Sequence, residues 1–114
     1  MKILILGAGK MGTFFCDVLS FKHEVAVFDT NPQKLRFTFN TQRMTTYEEV
    51  AEFAPELVIN AATVKYTIPA FEAVLPHLPK NCIISDIASV KTGLAEFYAK
   101  AGHPFVSTHP MFGP

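Results

Sequence analysis

The fold of this 114-residue chain is decided by residues 2–12, which read KILILGAGKMG. The run Lys2–Leu6 is mostly apolar and rich in isoleucine and leucine, which is typical of a buried β-strand. Three glycines spaced as G-x-G-x-x-G follow, and then a stretch with apolar residues at helical spacing. These apolar residues are Met11, Phe14, Phe15, Val18 and Leu19. The pattern predicts a strand, a tight turn and a helix from about Lys10 to Phe21, with its apolar stripe against a sheet.

Each glycine of this turn has its own physical role. Gly7 permits the tight turn, Gly9 lets the backbone approach an anionic group, and Gly12 lets the helix pack closely on the strand. The helix N-terminus offers N–H groups and a partial positive charge, so we expect Lys10 and Met11 to contact a bound pyrophosphate. The turn therefore predicts a dinucleotide site, the alternative being that the glycines only shape the turn.

A carboxylate after the second predicted strand refines this hypothesis. Asp29 follows the strand Glu24–Phe28, about twenty residues after the glycines, where it can accept hydrogen bonds from the adenosine ribose hydroxyls. A 2′-phosphate there would meet a like charge, so NAD is favoured over NADP, although Thr30, Asn31 and Lys34 leave room for a phosphate. A methyltransferase that binds S-adenosylmethionine also pairs a glycine-rich turn with such an acid, but it does not need the third glycine.

The rest of the chain alternates between strand-like runs and helical stretches. The predicted strands are Lys2–Leu6, Glu24–Phe28, Leu57–Asn60, Cys82–Asp86 and Phe105–Ser107, with a short strand at Arg43-Met44. The predicted helix N-caps are Asn31, Thr46, Thr67 and Thr92. Thr46 and Glu49 also form a capping box. We therefore expect an α/β fold, a Rossmann-type doubly wound parallel sheet, in a single dinucleotide-binding domain over residues 1–114.

Composition excludes several classes of partner. Ten Lys and Arg residues balance ten Asp and Glu residues without clustering, so we expect a small-molecule partner and neither nucleic acid nor an anionic membrane. No apolar run approaches the ~20 residues that span a bilayer, and the first run is too short for a signal peptide. Cys16 and Cys82 are too few for a disulfide framework or a metal site. The sequence predicts a soluble, cytoplasmic protein with reduced cysteines and no metal.

Chemistry is expected at the carboxyl ends of the strands, where open α/β sheets bind their ligands. The residues expected to contact the cofactor there are Ala61, Ala62, Thr63 and Ser89. His109 follows the last strand and is the candidate base, because a neutral imidazole can accept the proton that an alcohol loses as it gives up hydride. Ser89 orients the substrate hydroxyl or the nicotinamide carboxamide, or else satisfies loop backbone groups. Lys91 attracts a substrate carboxylate or is merely solvated, and Asp86 caps its loop or holds a neighbour in place.

Two stretches in the second half of the chain resemble the signatures of one enzyme family. Residues 86–91 (DIASVK) and 109–113 (HPMFG) are similar to the D-x-x-S-V-K and H-P-M-x-G motifs of prephenate dehydrogenases. With the glycine turn in register, the resemblance covers the whole chain. It implies that His109 is the catalytic histidine and Ser89 its active-site partner. It also implies an NAD-dependent oxidative decarboxylation of prephenate to 4-hydroxyphenylpyruvate in tyrosine biosynthesis.

The chain departs from this family pattern at two places. Residues 60–63 read NAAT, where the family often has a small residue, an apolar residue and a proline. Family members also continue beyond the equivalent of Pro114 into a helical domain that forms a homodimer and supplies an arginine for the substrate carboxylates. We therefore expect this chain alone to bind NAD but to turn over prephenate poorly or not at all. The open alternatives are an arogenate dehydrogenase, a related small-acid dehydrogenase or imine reductase, and a non-catalytic NAD sensor.

Overall fold

The computed structural model describes residues 1–38, 41–88 and 93–107. The strands are β1 (Lys2–Leu6), β2 (Glu24–Phe28), β3 (Gln42–Met44), β4 (Leu57–Asn60), β5 (Ile83–Asp86) and β6 (Phe105–Ser107). The helices are α1 (Lys10–Leu19), α2 (Tyr47–Phe53), α3 (Thr67–Val74) and α4 (Leu94–Ala101), with short 3-10 helices at Pro32–Phe37, Val64–Tyr66 and Leu75–His77. Every predicted strand is confirmed to within one residue. No helix in these ranges has the length and apolarity to cross a membrane.

The six strands form one sheet in the order β3-β2-β1-β4-β5-β6, and every neighbouring pair is parallel. The chain begins at the centre with β1, builds one half of the sheet through β2 and β3, and crosses back to build the other half from β4. Parallel pairing requires such crossovers and leaves both faces of the sheet to be covered. The topology confirms the predicted α/β fold, a Rossmann-type doubly wound sheet.

Apolar clusters lie on both faces of the sheet, because successive side chains of a strand point in opposite directions. Leu4 and Leu6 belong to a cluster that contains the buried side chains of α2, α3 and α4. Ile3 and Ile5 belong to a second cluster, which contains Cys16 of α1. The near-continuous apolar character of β1 is therefore explained by burial on two sides.

The apolar stripe predicted for α1 is confirmed at Phe15 and Leu19, which pack against the second cluster, but it is wrong at Phe14 and Val18. The side that lies on the sheet carries Gly12 and Cys16, which are buried, whereas Phe14 and Val18 are 43% and 49% exposed. The reason is the close contact of Gly12 with the glycine turn, which brings this residue against the strand. A helix turns by 3.6 residues, so Cys16 then faces inward and Phe14 faces outward.

The predicted end of α1 is also wrong by two residues. The helix ends at Leu19 instead of Phe21, which is 88% exposed. The carbonyl oxygen of Leu19 accepts hydrogen bonds from the N–H groups of both Lys22 and His23. These bonds close a turn that leads the chain directly into β2, so the helical repeat cannot continue.

The predicted caps of the second and third helical segments are confirmed. The Asn31 side chain accepts a hydrogen bond from the N–H of Gln33 and opens a 3-10 helix at Pro32. Thr46 and Glu49 form the predicted capping box, with each side chain accepting from the backbone N–H of the other residue. Thr92 lies outside the described residues.

Both cysteines are buried and free, as the sequence predicts. Burial, with a smaller contribution from the charge of Asp17, raises the pKa of the Cys16 thiol to about 12. Burial alone raises the pKa of the Cys82 thiol to about 11. Both thiols therefore stay protonated near neutral pH and act as small apolar side chains.

Candidate dinucleotide-binding site

The carboxyl ends of the strands lie side by side because the strands pair in register. Leu6, the last residue of β1, pairs with Phe28 of β2 on one side and with Asn60 of β4 on the other. Asn60 pairs in turn with Asp86 of β5, which pairs with Ser107 of β6. Each loop that follows a strand therefore leaves the sheet from the same edge.

A cleft of about 450 Å³ opens at this edge, between the two halves of the sheet. Six of the predicted cofactor-binding residues line it: Gly7, Gly9, Asp29, Ala61, Ala62 and Thr63. Lys10, Met11 and Gly12 are not among the lining residues. The structure thus gathers three separate segments of the chain around one cavity at the switch point of the sheet, where open α/β folds bind their ligands.

The glycine turn shows why two of its positions exclude a side chain. Gly7 has a φ of +95°, and a Cβ atom there would lie 3.2 Å from the backbone of Ala61 and of Ala62. A Cβ atom on Gly12 would lie 1.8 Å from the carbonyl oxygen of Gly7. Gly9 differs, because a Cβ atom there would have no protein atom within 4 Å. The space beside Gly9 is therefore open to the cleft.

The N-terminus of α1 begins beside this open space. Gly9 is the N-cap, and because it has no side chain, no side-chain hydrogen bond caps the helix. Lys10 is exposed and Met11 half-buried, and both lie in the first turn. The first N–H groups of a helix carry a partial positive charge. This end of α1 is therefore suited to an anionic group.

Asp29 connects the end of β2 to the glycine turn. One carboxylate oxygen, Oδ2, accepts a hydrogen bond from the N–H of Ala8 at 2.9 Å, and the other, Oδ1, accepts from the N–H of Asn31 at 2.8 Å. Each oxygen can accept a further bond, and the residue is only half-buried. The carboxylate is thus fixed in orientation while it remains accessible from the cleft.

The loop after β4 is held by two buried polar side chains. Asn60 donates through Nδ2 to the carbonyl oxygen of Thr67 at 2.8 Å and accepts through Oδ1 from the N–H of Ala62 at 3.1 Å. Thr67 does not cap α3 as predicted, because its hydroxyl donates instead to the carbonyl oxygens of Thr63 and Ala62. Tyr66 is the N-cap, without a side-chain bond. These contacts fix the wall formed by Ala61, Ala62 and Thr63.

One end of the cleft is apolar, and the sequence reasoning missed it. Tyr47 stacks between Phe28 and His77, with ring centroids 4.8 and 5.1 Å apart. The remaining apolar lining residues on α3 are Pro69, Ala70 and Ala73. The position of Phe28 next to Asp29 is a usable signal in the sequence, whereas nothing local to Tyr47 indicates its neighbours.

A buried polar contact lies at the end of β5. Asp86 is fully buried, and its carboxylate accepts from the Tyr98 hydroxyl at 2.5 Å and from the N–H of Ala88 at 2.9 Å. Burial, and then the neighbouring carboxylate, raise the pKa of the Tyr98 phenol well above its usual value. Both roles considered for Asp86 from the sequence apply, since its carboxylate accepts a hydrogen bond from its own loop and another from the neighbouring Tyr98. Tyr98 was not singled out from the sequence.

The predicted catalytic residues Ser89 and His109, together with Lys91, lie outside the described residues. The structure describes the chain up to Ala88, the residue directly before Ser89, and up to Ser107, two residues before His109. No contact among the described residues tests their predicted roles, which stay predictions.

A family comparison identifies the chain independently of the glycine turn. The model of the prephenate dehydrogenase nucleotide-binding domain matches residues 19–114, which begin after the last of the three glycines. A probable arogenate/prephenate dehydrogenase of Methanocaldococcus jannaschii is 36% identical over 62 residues, which is 52% of this chain and 14% of that protein. The T-protein of Enterobacter agglomerans is 49% identical over 43 residues, which is 37% of this chain and 12% of that protein.

A solved structure extends the likeness over the full chain. The prephenate dehydrogenase of A. aeolicus, solved in complex with hydroxyphenyl propionate and NAD⁺, superposes with a TM-score of 0.87 at 26% identity. The match covers 100% of this chain and 43% of that one, so the chain spans less than half the length of this relative. The fold, the cleft and the family match agree with one another. The chain belongs to the prephenate dehydrogenase family, whose nucleotide-binding domain it matches.

Proposed function

We propose that this chain binds NAD as part of an enzyme that oxidises prephenate, with arogenate as the alternative substrate. One observation carries the proposal: in a chain of this family, the glycine turn, Asp29 and the loop after β4 line the same cleft. Residues 1–114 are proposed to form a single dinucleotide-binding domain. The substrate assignment rests on the resemblance of the two motifs around Ser89 and His109.

The donor set of the cleft fits a dinucleotide. A Cβ atom on Gly9 would meet no protein atom within 4 Å. The backbone at the start of α1 is therefore open to a pyrophosphate. Lys10 and Met11 are proposed to offer their backbone N–H groups to it. Asp29 is proposed to accept from the ribose hydroxyls, since each of its oxygens has a lone pair to spare after its bond to the backbone.

The nicotinamide end is proposed to lie against Ala61, Ala62, Thr63 and Ser89. This orientation is supported by the order of the sheet, because β2 and its Asp29 are on one side of β1, whereas β4, β5 and β6 are on the other. A dinucleotide that crosses β1 at the glycine turn thus has its adenosine on the side of β2. The apolar end of the cleft at Phe28 and Tyr47 suits an adenine ring.

The catalytic groups are proposed to be His109 and Ser89. Bound NAD⁺ supplies the acceptor for the hydride of the hydroxyl-bearing carbon. His109 takes the proton of that hydroxyl, for which a neutral imidazole is suited near pH 7. Ser89 orients the hydroxyl. Support comes from the register of β5 and β6, because Asp86 and Ser107 pair directly and the two residues follow them by three and two positions.

NAD is proposed over NADP because the Asp29 carboxylate would repel a 2′-phosphate. Lys34 lines the same cleft and would act in the opposite direction. An Asp29→Asn variant and a Lys34→Gln variant separate the two effects. We expect the first to shift the ratio of the two dissociation constants toward NADP and the second to shift it further toward NAD. A wild-type preference for NADP would refute the assignment.

The function is tested by following NADH absorbance with the full-length protein, NAD⁺ and either prephenate or arogenate. The test variant is His109→Asn. The matched control is His103→Asn, because His103 lies before β6 and contacts the backbone of Cys82, away from the cleft. We expect NADH from one substrate, its loss in His109→Asn and its retention in the control. Bound NAD without NADH from either substrate would refute the proposal and leave the sensor reading.

Several finer expectations remain proposals. We propose a cytoplasmic location, a small-molecule substrate without a nucleic-acid partner, and a homodimer formed through a helical domain of the full-length protein. Gel filtration with light scattering on the full-length protein tests the dimer. A monomer at working concentration would overturn it.

A further inference from the structure

The contact between Tyr98 and Asp86 joins three elements at the edge of the sheet that is proposed to carry the chemistry. Asp86 is the last residue of β5, and Tyr98 lies on α4. The ring of Tyr98 stacks on that of Phe105, the first residue of β6, with centroids 4.5 Å apart and planes within 4°. One side chain therefore contacts β5 through its hydroxyl and β6 through its ring.

These two strands lead to the two proposed catalytic residues. Ser89 follows Asp86 by three positions, and His109 follows Ser107 by two. Asp86 also accepts from the N–H of Ala88, so its carboxylate constrains the backbone immediately before Ser89. The contacts of Tyr98 therefore connect the two strands from which the chain continues to Ser89 and to His109.

We propose that Tyr98 and Asp86 are positioning residues, which set the placement of Ser89 relative to His109 without contacting substrate themselves. The proposal rests on the proposed function. A buried carboxylate is costly unless it is well hydrogen-bonded, and Asp86 is fully buried at a strand end where an apolar residue would pack without that cost. Burial keeps the Tyr98 phenol protonated, so it remains a donor to Asp86.

Ser85 provides a matched control one residue earlier on the same strand. Its hydroxyl is also buried, but it donates to the carbonyl oxygen of Val58 on the neighbouring strand at 2.8 Å. This bond joins β5 to β4, whereas the contacts of Tyr98 join β5 to α4 and β6. Ser85→Ala therefore removes a buried hydroxyl without removing the proposed positioning contact.

The test compares Tyr98→Phe with Ser85→Ala in the full-length protein. Tyr98→Phe keeps the ring stack and removes only the hydroxyl. We expect kcat to fall about tenfold or more, as a displaced catalytic group requires, with the KM and Kd for NAD unchanged. Ser85→Ala should leave kcat close to that of wild type, although both variants lower Tm. Equal kcat in the two variants would overturn the proposal and leave Tyr98 a structural residue.

A second variant covers the case in which Tyr98→Phe does not fold. Phe105 is half exposed, so Phe105→Leu is tolerable and loosens the contact with β6 while leaving the hydroxyl bond. We expect a lower kcat with unchanged affinity for NAD, and an unchanged kcat would overturn the link to β6. If wild type and Ser85→Ala bind NAD but oxidise neither substrate, the proposed function itself fails. If both are active and Tyr98→Phe matches them, only the positioning role fails.

Discussion

Replacing Gly12 or Gly9 by alanine adds the same methyl group to the same turn with opposite consequences. At Gly12 the new Cβ atom would lie 1.8 Å from the Gly7 carbonyl oxygen and 2.9 Å from its carbon. At Gly9 it would find no protein atom within 4 Å. We therefore expect Gly12→Ala to affect the stability of the fold and Gly9→Ala to affect the binding of NAD.

The loss of folding stability in Gly12→Ala follows from the distance between the new Cβ atom and the Gly7 carbonyl oxygen. A Cβ atom at 1.8 Å is more than about 1 Å too close to a backbone oxygen, and both atoms belong to rigid elements that cannot rotate away. Separating α1 from the turn by that amount also loosens the contacts of Cys16 with the sheet. Overpacking of this kind costs about 3 kcal/mol or more, which for a domain of this size lowers Tm by roughly 10 °C or more.

The effect at Gly9 is confined to the ligand. Its φ of −77° and ψ of −163° are extended values that alanine adopts without strain, so Gly9→Ala should hold or slightly raise Tm. The methyl group would occupy the space beside the helix N-terminus in which we propose the pyrophosphate. We expect the Kd for NAD to rise at least about tenfold, which corresponds to about 1.4 kcal/mol.

Thermal unfolding by circular dichroism and calorimetric titration with NAD measure the two effects in the same preparations. A wild-type Tm for Gly12→Ala would refute the reading of its contact with Gly7. A wild-type Kd for Gly9→Ala would refute the placement of the pyrophosphate, whatever the Tm. A fall in Tm for Gly9→Ala would mean that the space beside it is not open.

Further predictions concern buried and capping groups. Because the pKa values of Cys16 and Cys82 are raised to about 12 and 11, only about one Cys16 thiol in ten thousand is ionised at pH 8. A thiol reagent should therefore label the unfolded chain quickly and the folded chain slowly. Fast labelling of the folded protein would contradict this prediction. Thr46→Ala should cost about 1 kcal/mol in urea unfolding, because it removes the N-cap acceptor, whereas an unchanged midpoint would argue against the capping box. Hydrogen bonds from the Thr45 backbone and the Thr46 hydroxyl hold the pKa of Glu49 below its usual 4.5. The stabilisation of the fold by these bonds is present above the pKa of Glu49 in the unfolded chain and is lost as pH falls through its pKa in the folded chain. Glu49→Gln should therefore flatten the acid side of a plot of unfolding free energy against pH, and parallel plots for the variant and wild type would exclude this contribution of Glu49. Asn60→Ala should lower Tm, since it leaves the Thr67 carbonyl oxygen and the Ala62 N–H without this partner, and a Tm equal to that of wild type would show that the loop after β4 does not depend on it.

The strands and the glycine turn could be predicted because their signals are local. A run such as Lys2–Leu6 is buried on both faces in any doubly wound sheet, so its composition alone identifies it. The capping box at Thr46 and Glu49 is satisfied within four residues. Likewise, the position of Asp29 at the end of β2 follows from strand length and the spacing to the glycines.

The errors arise where a competing contact, rather than residue type, decides the local structure. The face of α1 that meets the sheet is selected by the contact of Gly12 with Gly7 rather than by the largest apolar side chains, so Phe14 and Val18 remain exposed. Thr67 has the residue type of an N-cap, but its hydroxyl is used by the loop after β4. The first outcome has a signal in the sequence, because the close packing predicted for Gly12 places this residue, and Cys16 one turn later, on the side of the sheet; the second outcome has none.

The two bonds of Asp29 would make recognition of the adenosine ribose and recognition of the pyrophosphate interdependent. The same carboxylate that is proposed to bind the ribose already accepts from the N–H of Ala8, inside the glycine turn, and from that of Asn31. An asparagine can accept from only one of these donors and would turn its own NH₂ toward the other. Asp29→Asn therefore weakens the turn that is proposed to hold the pyrophosphate, in addition to the ribose contact. The loss that NAD and NADP share in this variant measures the effect on the turn, and the change in their ratio measures the charge at the ribose.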